Sequence, residues 1–204
     1  MDILSQSPAT FALLAANIIA SLIAFSQQDF FVGNSFWIQP IRQGRQWHRM
    51  LTSGFLHVNM THLFVNMITL YFFGPTLEYI FGTINFLLLY FVSLLGGSVW
   101  MYIEKRNDPD YRAVGASGAI SGLMLAVALL FPFATIYLMF AIPIWAGVYG
   151  ALFIIISFIL SGRDNAMIAH GAHLGGAVAG LVITLLLKPE SLGNLLQQIS
   201  ERLG

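Results

Sequence analysis

Along this chain, charged residues are confined to short segments separated by long neutral, apolar ones. The neutral stretches cover 3–28, 50–77, 79–103, 113–162 and 165–187. A transmembrane helix needs about 20 apolar residues to cross roughly 30 Å of hydrocarbon, so each stretch can hold at least one. The 50-residue stretch 113–162 has room for two. Pro132 and Pro143 divide it, because each removes a helical hydrogen bond and biases the residue before it away from helix. The pattern predicts six helices, near 9–26, 55–74, 84–103, 117–131, 142–160 and 168–187, and hence an all-α membrane protein. An even number of spans puts both termini on one side of the bilayer.

Two segments fall outside the spans. In 29–54, Phe30, Phe31, Phe36, Trp37, Ile38, Trp47 and Met50 alternate with Arg42, Arg45 and Arg49. Aromatics beside arginines suit a first loop lying in the headgroup region. In 188–204, Leu192, Leu195, Leu196, Ile199 and Leu203 recur at near-helical spacing among polar residues, which predicts a short amphipathic tail behind a membrane domain of residues 1–187. The first apolar run has neither a preceding basic region nor a following small-residue cleavage site, so it is expected to be retained as a helix.

Composition excludes several classes. Only 9% of the 204 residues are charged and 57% are hydrophobic, against roughly 25% charged in ordinary globular chains. Mean hydropathy is +0.78. So few charges cannot cover a soluble domain, which sets aside a soluble enzyme or a disordered scaffold. The formal net charge of zero leaves no electrostatic footprint for nucleic acid. Without cysteine there is no disulfide or thiolate chemistry. Counted alone, the basic residues between spans one and two, three and four, and five and six would place the termini outside the cell.

Chemistry in such a chain is best sought where polar side chains sit at hydrocarbon depth. They concentrate in the second, fourth and sixth spans. The second carries His57, His62 and Asn66, the last two sharing one helical face. The fourth opens Gly115-Ala-Ser117-Gly118-Ala-Ile-Ser121-Gly122, and the sixth His170-Gly-Ala172-His173-Leu-Gly-Gly176, with Gly180 one turn on. Each admits a purely structural reading: interhelical hydrogen bonds for His62 and Asn66, and small-residue packing faces with an incidental serine or histidine for the others. Position 119 is Ala, so the serine is not in a nucleophile elbow. No His-Glu-x-x-His and no third ligand beside His170 and His173 points to a metal, and no cofactor is expected.

Depth joins these pieces. Ser117 lies 14 residues before Phe131 and His173 14 before Leu187, so both are expected about 21 Å from the far face on parallel helices. His62 lies 12 residues before Gly74-Pro75, about 18 Å from the same face. Ser117, His173, His62 and Asn66 then share one layer, and the glycine faces would let the fourth and sixth spans approach closely enough for a Ser117–His173 hydrogen bond. Residues 108–116 must reach that depth without being helical, which is tolerated only where protein or a wet cavity satisfies the backbone.

These residues resemble the rhomboid family of intramembrane serine proteases, over about 37–187. Gly115-x-Ser117-Gly118 resembles its nucleophile motif, Ala172-His173-x-x-Gly176-x-x-x-Gly180 its general-base motif, and His57-x-x-x-x-His62-x-x-x-Asn66 its oxyanion-side motif. Arg49 resembles the Arg of the family's Trp-Arg pair in the first loop, and Glu78 with Gly82 the Glu-x-x-x-Gly after the second span. His48 stands where the family usually has Trp, Ser121 where relatives often carry an aromatic that stacks on the catalytic histidine, and Leu125 at a position often Gly. The resemblance implies a six-helix rhomboid bundle whose Ser117 and His173 cleave transmembrane segments of membrane-protein substrates. The oxyanion would be held by His62, Asn66 and the Ser117 backbone N–H, and Asp164 is not enlisted as a third catalytic member. It also implies a bacterial inner membrane, both termini in the cytoplasm and a site opening to the extracytoplasmic side, the reverse of the loop-charge count. The alternative is a non-catalytic rhomboid-like protein that binds membrane helices.

Overall fold

A computed structural model of the chain describes residues 6–138, 141–161 and 169–203. Six apolar helices form its frame: α1 Pro8–Ser26, α2 Met60–Phe81, α3 Thr83–Lys105, α4 Ser117–Leu130, α5 Ala146–Leu160 and α6 His170–Leu187. By length and composition α1, α2, α3 and α6 can each cross a membrane, while α4 and α5 are shorter. A seventh helix, α7 (Ser191–Leu203), is the amphipathic tail; its Arg202 guanidinium lies over the rings of Phe133 and Trp145.

The centre of the bundle is α4. Every residue from Gly118 to Leu129 is buried, and α3 and α6 enclose it at backbone distance. A Cβ on Gly176 would meet the Gly118 carbonyl oxygen at 2.1 Å, and one on Gly180 would meet the Gly122 Cα at 2.3 Å. A Cβ on Gly97 of α3 would lie 2.6 Å from the Ala172 carbonyl oxygen. In lipid there is little hydrophobic drive between helices, so such contact between small residues supplies the packing. Leu125 does not separate α4 from α6, because its side chain turns toward α5, within 3.5 Å of where a Gly150 Cβ would stand.

The second span departs from its expected limits. It begins at Met60, not 55, and passes through Pro75 to Phe81, where Gly82 (φ +74°) ends it. One proline removes a single hydrogen bond, and a packed neighbour keeps the helix together: the Thr10 side chain of α1 fills the space beside Gly74. Below this contact, Glu78, only 2% exposed, accepts from Ala9 N, Thr10 N, Thr10 Oγ1 and Thr83 Oγ1 at 2.7–3.0 Å. It thereby satisfies amides of the first turn of α1, which the helix itself leaves unpaired. Glu78→Ala orphans these donors and is expected to cost about 3 kcal/mol, read as a lower thermal midpoint in detergent.

Two small ladders qualify the all-α expectation. β3 (Thr135–Leu138) and β4 (Ile142–Trp145) pair antiparallel where a simple turn was expected, so α5 starts at Ala146, not 142. Thr-Ile-Tyr and Ile-Pro-Ile-Trp are good strand formers, and in a two-stranded ribbon a proline can face the unpaired edge. The other ladder pairs β1 (Phe36–Trp37) with β2 (Arg112–Ala113). It anchors the non-helical descent before α4, whose backbone is further satisfied by Ile38 N to Tyr111 O at 3.2 Å and Gly115 N to Ser53 O at 3.0 Å.

The first loop is folded, with short helices Gln28–Asn34, Ile38–Gly44 and Arg49–Thr52. Phe36, Ile38 and Ile41 are fully buried, whereas Trp47 is half exposed. Arg49, also buried, donates to the carbonyls of Val32 (2.6 Å) and Ser35 (2.9 Å) and to Gln46 Oε1 (2.7 Å), tying the loop together.

Candidate active site

The polar residues singled out in the sequence lie in or beside the first turns of α2, α4 and α6. Ser117 opens α4, His62 is the third residue of α2 and His173 the fourth of α6. For His62 the depth expectation needs correcting: α2 does not end at Pro75, so distance from that point has no meaning. His62 reaches the layer because α2 starts there, its N-cap Asn59 accepting from His62 N at 2.8 Å.

Gly115 shows how closely two of these groups sit. Its φ of +139° is one that L side chains rarely adopt, and a Cβ there would lie 3.0 Å from His62 Nε2 and 3.6 Å from Ser117 Oγ. The absent side chain leaves the space that the imidazole and the hydroxyl share. Ser117 is partly exposed. Its backbone N–H belongs to the first turn of α4 and has no intrahelical acceptor, and the positive end of the helix dipole lies at the same point. Asn66, 5% exposed, donates one amide proton to the His62 carbonyl oxygen at 2.8 Å, which leaves its second N–H to give. A cavity of about 20 Å³, room for roughly one water, is lined by Ser53, Ser98, Gly115, Ser117 and Ala172 among others.

His173 is set against α4 by the glycine contacts. Gly118, directly after Ser117, would place a Cβ 3.4 Å from the carbonyl oxygen of Ala172, directly before His173. A side chain in place of Gly118 would thus touch the residue that precedes the histidine. The His173 ring lies 5.7 Å from that of Phe153 and 5.9 Å from that of His170, centroid to centroid. Asp164 lies outside the described residues. Among the described residues no group of three His, Cys, Asp or Glu side chains stands where it could hold a metal ion.

His57 is fully buried, and its partner, Ser21 in the middle of α1, was not picked out from the sequence. Ser21 Oγ donates to the Phe55 carbonyl at 3.1 Å and lies 2.9 Å from His57 Nδ1. With its single proton so committed, the serine oxygen accepts from Nδ1. The His57 ring then packs edge to face on His62 at 5.0 Å, so a residue of α1 supports the imidazole beside Ser117. The signal was present: Asn17 and Ser21, four apart in an apolar helix, share one face, and both are fully buried. Arg49 and Glu78, by contrast, bind the first loop and the start of α1 and support the frame, not the cluster.

Comparison with known proteins bears on the whole arrangement. The family model described as "Rhomboid domain" matches residues 44–190. "RHOMBOID-like protein 12, mitochondrial" of Arabidopsis thaliana is 34% identical over 198 residues, 88% of this chain and 58% of the relative. "Rhomboid-like protein 16, chloroplastic" of the same plant is 33% identical over 153 residues, 66% of this chain and 47% of the relative. "Putative rhomboid protease YdcA" of Bacillus subtilis is 41% identical over 78 residues, 38% of each chain. The chain spans about half the length of the plant relatives it matches.

Proposed function

This chain belongs to the rhomboid family, and we propose that it is an intramembrane serine endopeptidase that cuts transmembrane segments of membrane-protein substrates with Ser117 and His173. His173 takes the proton of Ser117 as its oxygen attacks the scissile carbonyl, then delivers it to the leaving amine. The tetrahedral oxyanion is held by the His62 N–H, the second Asn66 N–H and the Ser117 backbone N–H. Water then hydrolyses the acyl-enzyme, with His173 again as base. No carboxylate and no cofactor enters this mechanism.

One observation carries the reading: the side chain missing at Gly115 leaves His62 Nε2 and Ser117 Oγ facing one space at the start of α4. An oxyanion requires that arrangement, whereas helix packing alone does not need it. Gly118, Gly176 and Gly180 support it by bringing α4 and α6 to backbone contact beside Ser117 and His173. The test is labelling of the purified protein with a serine-reactive phosphonate, in which label at Ser117 that also requires His173 is expected. A folded protein that takes no label would favour a helix-binding role without catalysis.

The setting proposed with it is the bacterial cell membrane, which fits the Bacillus relative, whereas the plant relatives that cover more of the chain are mitochondrial and chloroplastic by name. Both termini lie in the cytoplasm, with residues 1–187 as the membrane domain and α7 lying on the cytoplasmic surface. The arginines of the first loop are weak evidence for orientation, because they lie in a folded interfacial segment in which Arg49 is bound to loop carbonyls. A reporter enzyme active only in the periplasm, fused after Gly204, is expected to be silent; activity there would reverse the assignment.

A further inference from the structure

The general base proposed above has an aromatic wall that comes from a third helix. Phe153 of α5 faces the His173 ring with planes only 30° apart, at 5.7 Å between centroids. Tyr149, one turn earlier on the same face of α5, stacks on Phe153 at 5.8 Å and 26°. The three rings adjoin in a row running from α5 to the base, the last pair tilted by 30°. From α4 no ring reaches His173: Ser121, one turn after Ser117, is buried and its hydroxyl is bound to the Ser117 carbonyl at 2.6 Å. Phe153 and Tyr149 are partly buried, whereas Leu152, Ile155, Ile156 and Ile159 of the same helix are exposed. Two rings thus occupy the inward face of the helix otherwise least enclosed by the bundle, whose buried residues are only Ala146, Gly150 and Ser157.

We propose that Phe153, backed by Tyr149, is a positioning residue that holds the His173 imidazole in the orientation needed to take the proton of Ser117. An imidazole on a helix can turn about two side-chain torsions, and a flat ring laid along its face restricts both. The face of the ring also carries negative potential, which favours the imidazolium formed when the proton arrives. The base is therefore coupled to α5, a helix that carries neither serine nor histidine of the pair.

This inference rests on the proposed Ser117–His173 reaction, and its test separates the two. Full-length wild type and the variants Phe153→Leu, Phe153→Tyr and Tyr149→Leu are compared in detergent for cleavage kinetics, phosphonate labelling rate at Ser117 and thermal midpoint. Leucine keeps the apolar filling and removes the flat ring; tyrosine keeps the ring. Phe153→Leu is expected to lower kcat and labelling rate about 3- to 10-fold with KM and midpoint unchanged. Tyr149→Leu should show a smaller loss of the same kind, and Phe153→Tyr should match wild type. If wild type is labelled at Ser117 and Phe153→Leu keeps its kcat, the positioning role is overturned while the protease stands. If wild type takes no label at all, the catalytic reading falls and this inference falls with it.

Discussion

Ser117→Ala and His173→Ala variants, inserted and folded like wild type, are expected to cleave a transmembrane reporter at background rate and to take up no phosphonate. Nucleophile and base act as one unit, so losing either removes nearly the whole covalent pathway, a fall of at least about 10⁴-fold. The Ser117→Ala protein should still fold, because the local contact runs through its carbonyl, which accepts from Ser121 Oγ and is kept in the variant. His173→Ala leaves the Gly118–Gly176 contact of α4 and α6 untouched, so thermal midpoints near wild type are the control. Cleavage by a folded Ser117→Ala variant above background would sink the dyad. Removing a structural hydroxyl cannot imitate the expected result, since it would change the midpoint before the label.

The parts of this architecture visible in the sequence are those that lipid makes unambiguous. A charge inside the bilayer is so costly that eighteen charged side chains, nine of each sign, outline the spans by avoiding them. The same cost makes an uncharged polar residue conspicuous, which is why Ser117, His173, His62 and Asn66 stand out in the sequence. Errors arose where a local rule met tertiary packing. Pro75 marks an expected end of α2, but with Thr10 packed beside Gly74 the helix runs six residues further, to Phe81. The depth inferred for His62 inherited that error. Residues 135–138 and 142–145 carry strand-forming side chains, and the ladder they make displaces the start of α5.

Other features needed contacts between distant segments. Leu125 is bulky enough to hold α4 and α6 apart, and only its direction toward Gly150 shows why it does not. Ser21 lies 36 residues before His57, and no spacing rule links them. The Phe153–His173 stack belongs to the same class, because aromatic residues are too common in apolar helices for one to stand out. The proposed orientation sets loop charge aside for a related reason. Arg49 and Arg112 are structural cations here, one satisfied by loop carbonyls and the other laid 3.6 Å over the Trp37 ring, not free charges held back from crossing the membrane.

Loss of His62 is expected to have the next largest effect. His62→Ala should lower kcat about 100- to 1,000-fold, the usual result of removing one oxyanion donor, with KM little changed. The split follows from where the charge develops: a neutral substrate carbonyl gains little from the imidazole N–H, whereas the tetrahedral oxyanion gains much. Asn66→Ala should cost less, because Asn66 is buried one turn behind His62 and one of its amide protons is already given to the His62 carbonyl. Gly115→Ala provides an independent check with every polar group left in place. The added methyl must find room 2.8 Å from His62 Cε1 and 3.0 Å from Nε2 at a φ of +139°, so the imidazole is displaced from its position beside Ser117. Its kcat should therefore fall toward that of His62→Ala, and in the double variant the two losses should not add, since each removes the same interaction. Full additivity of the two, or wild-type kcat in His62→Ala, would show that the imidazole does not face the oxyanion.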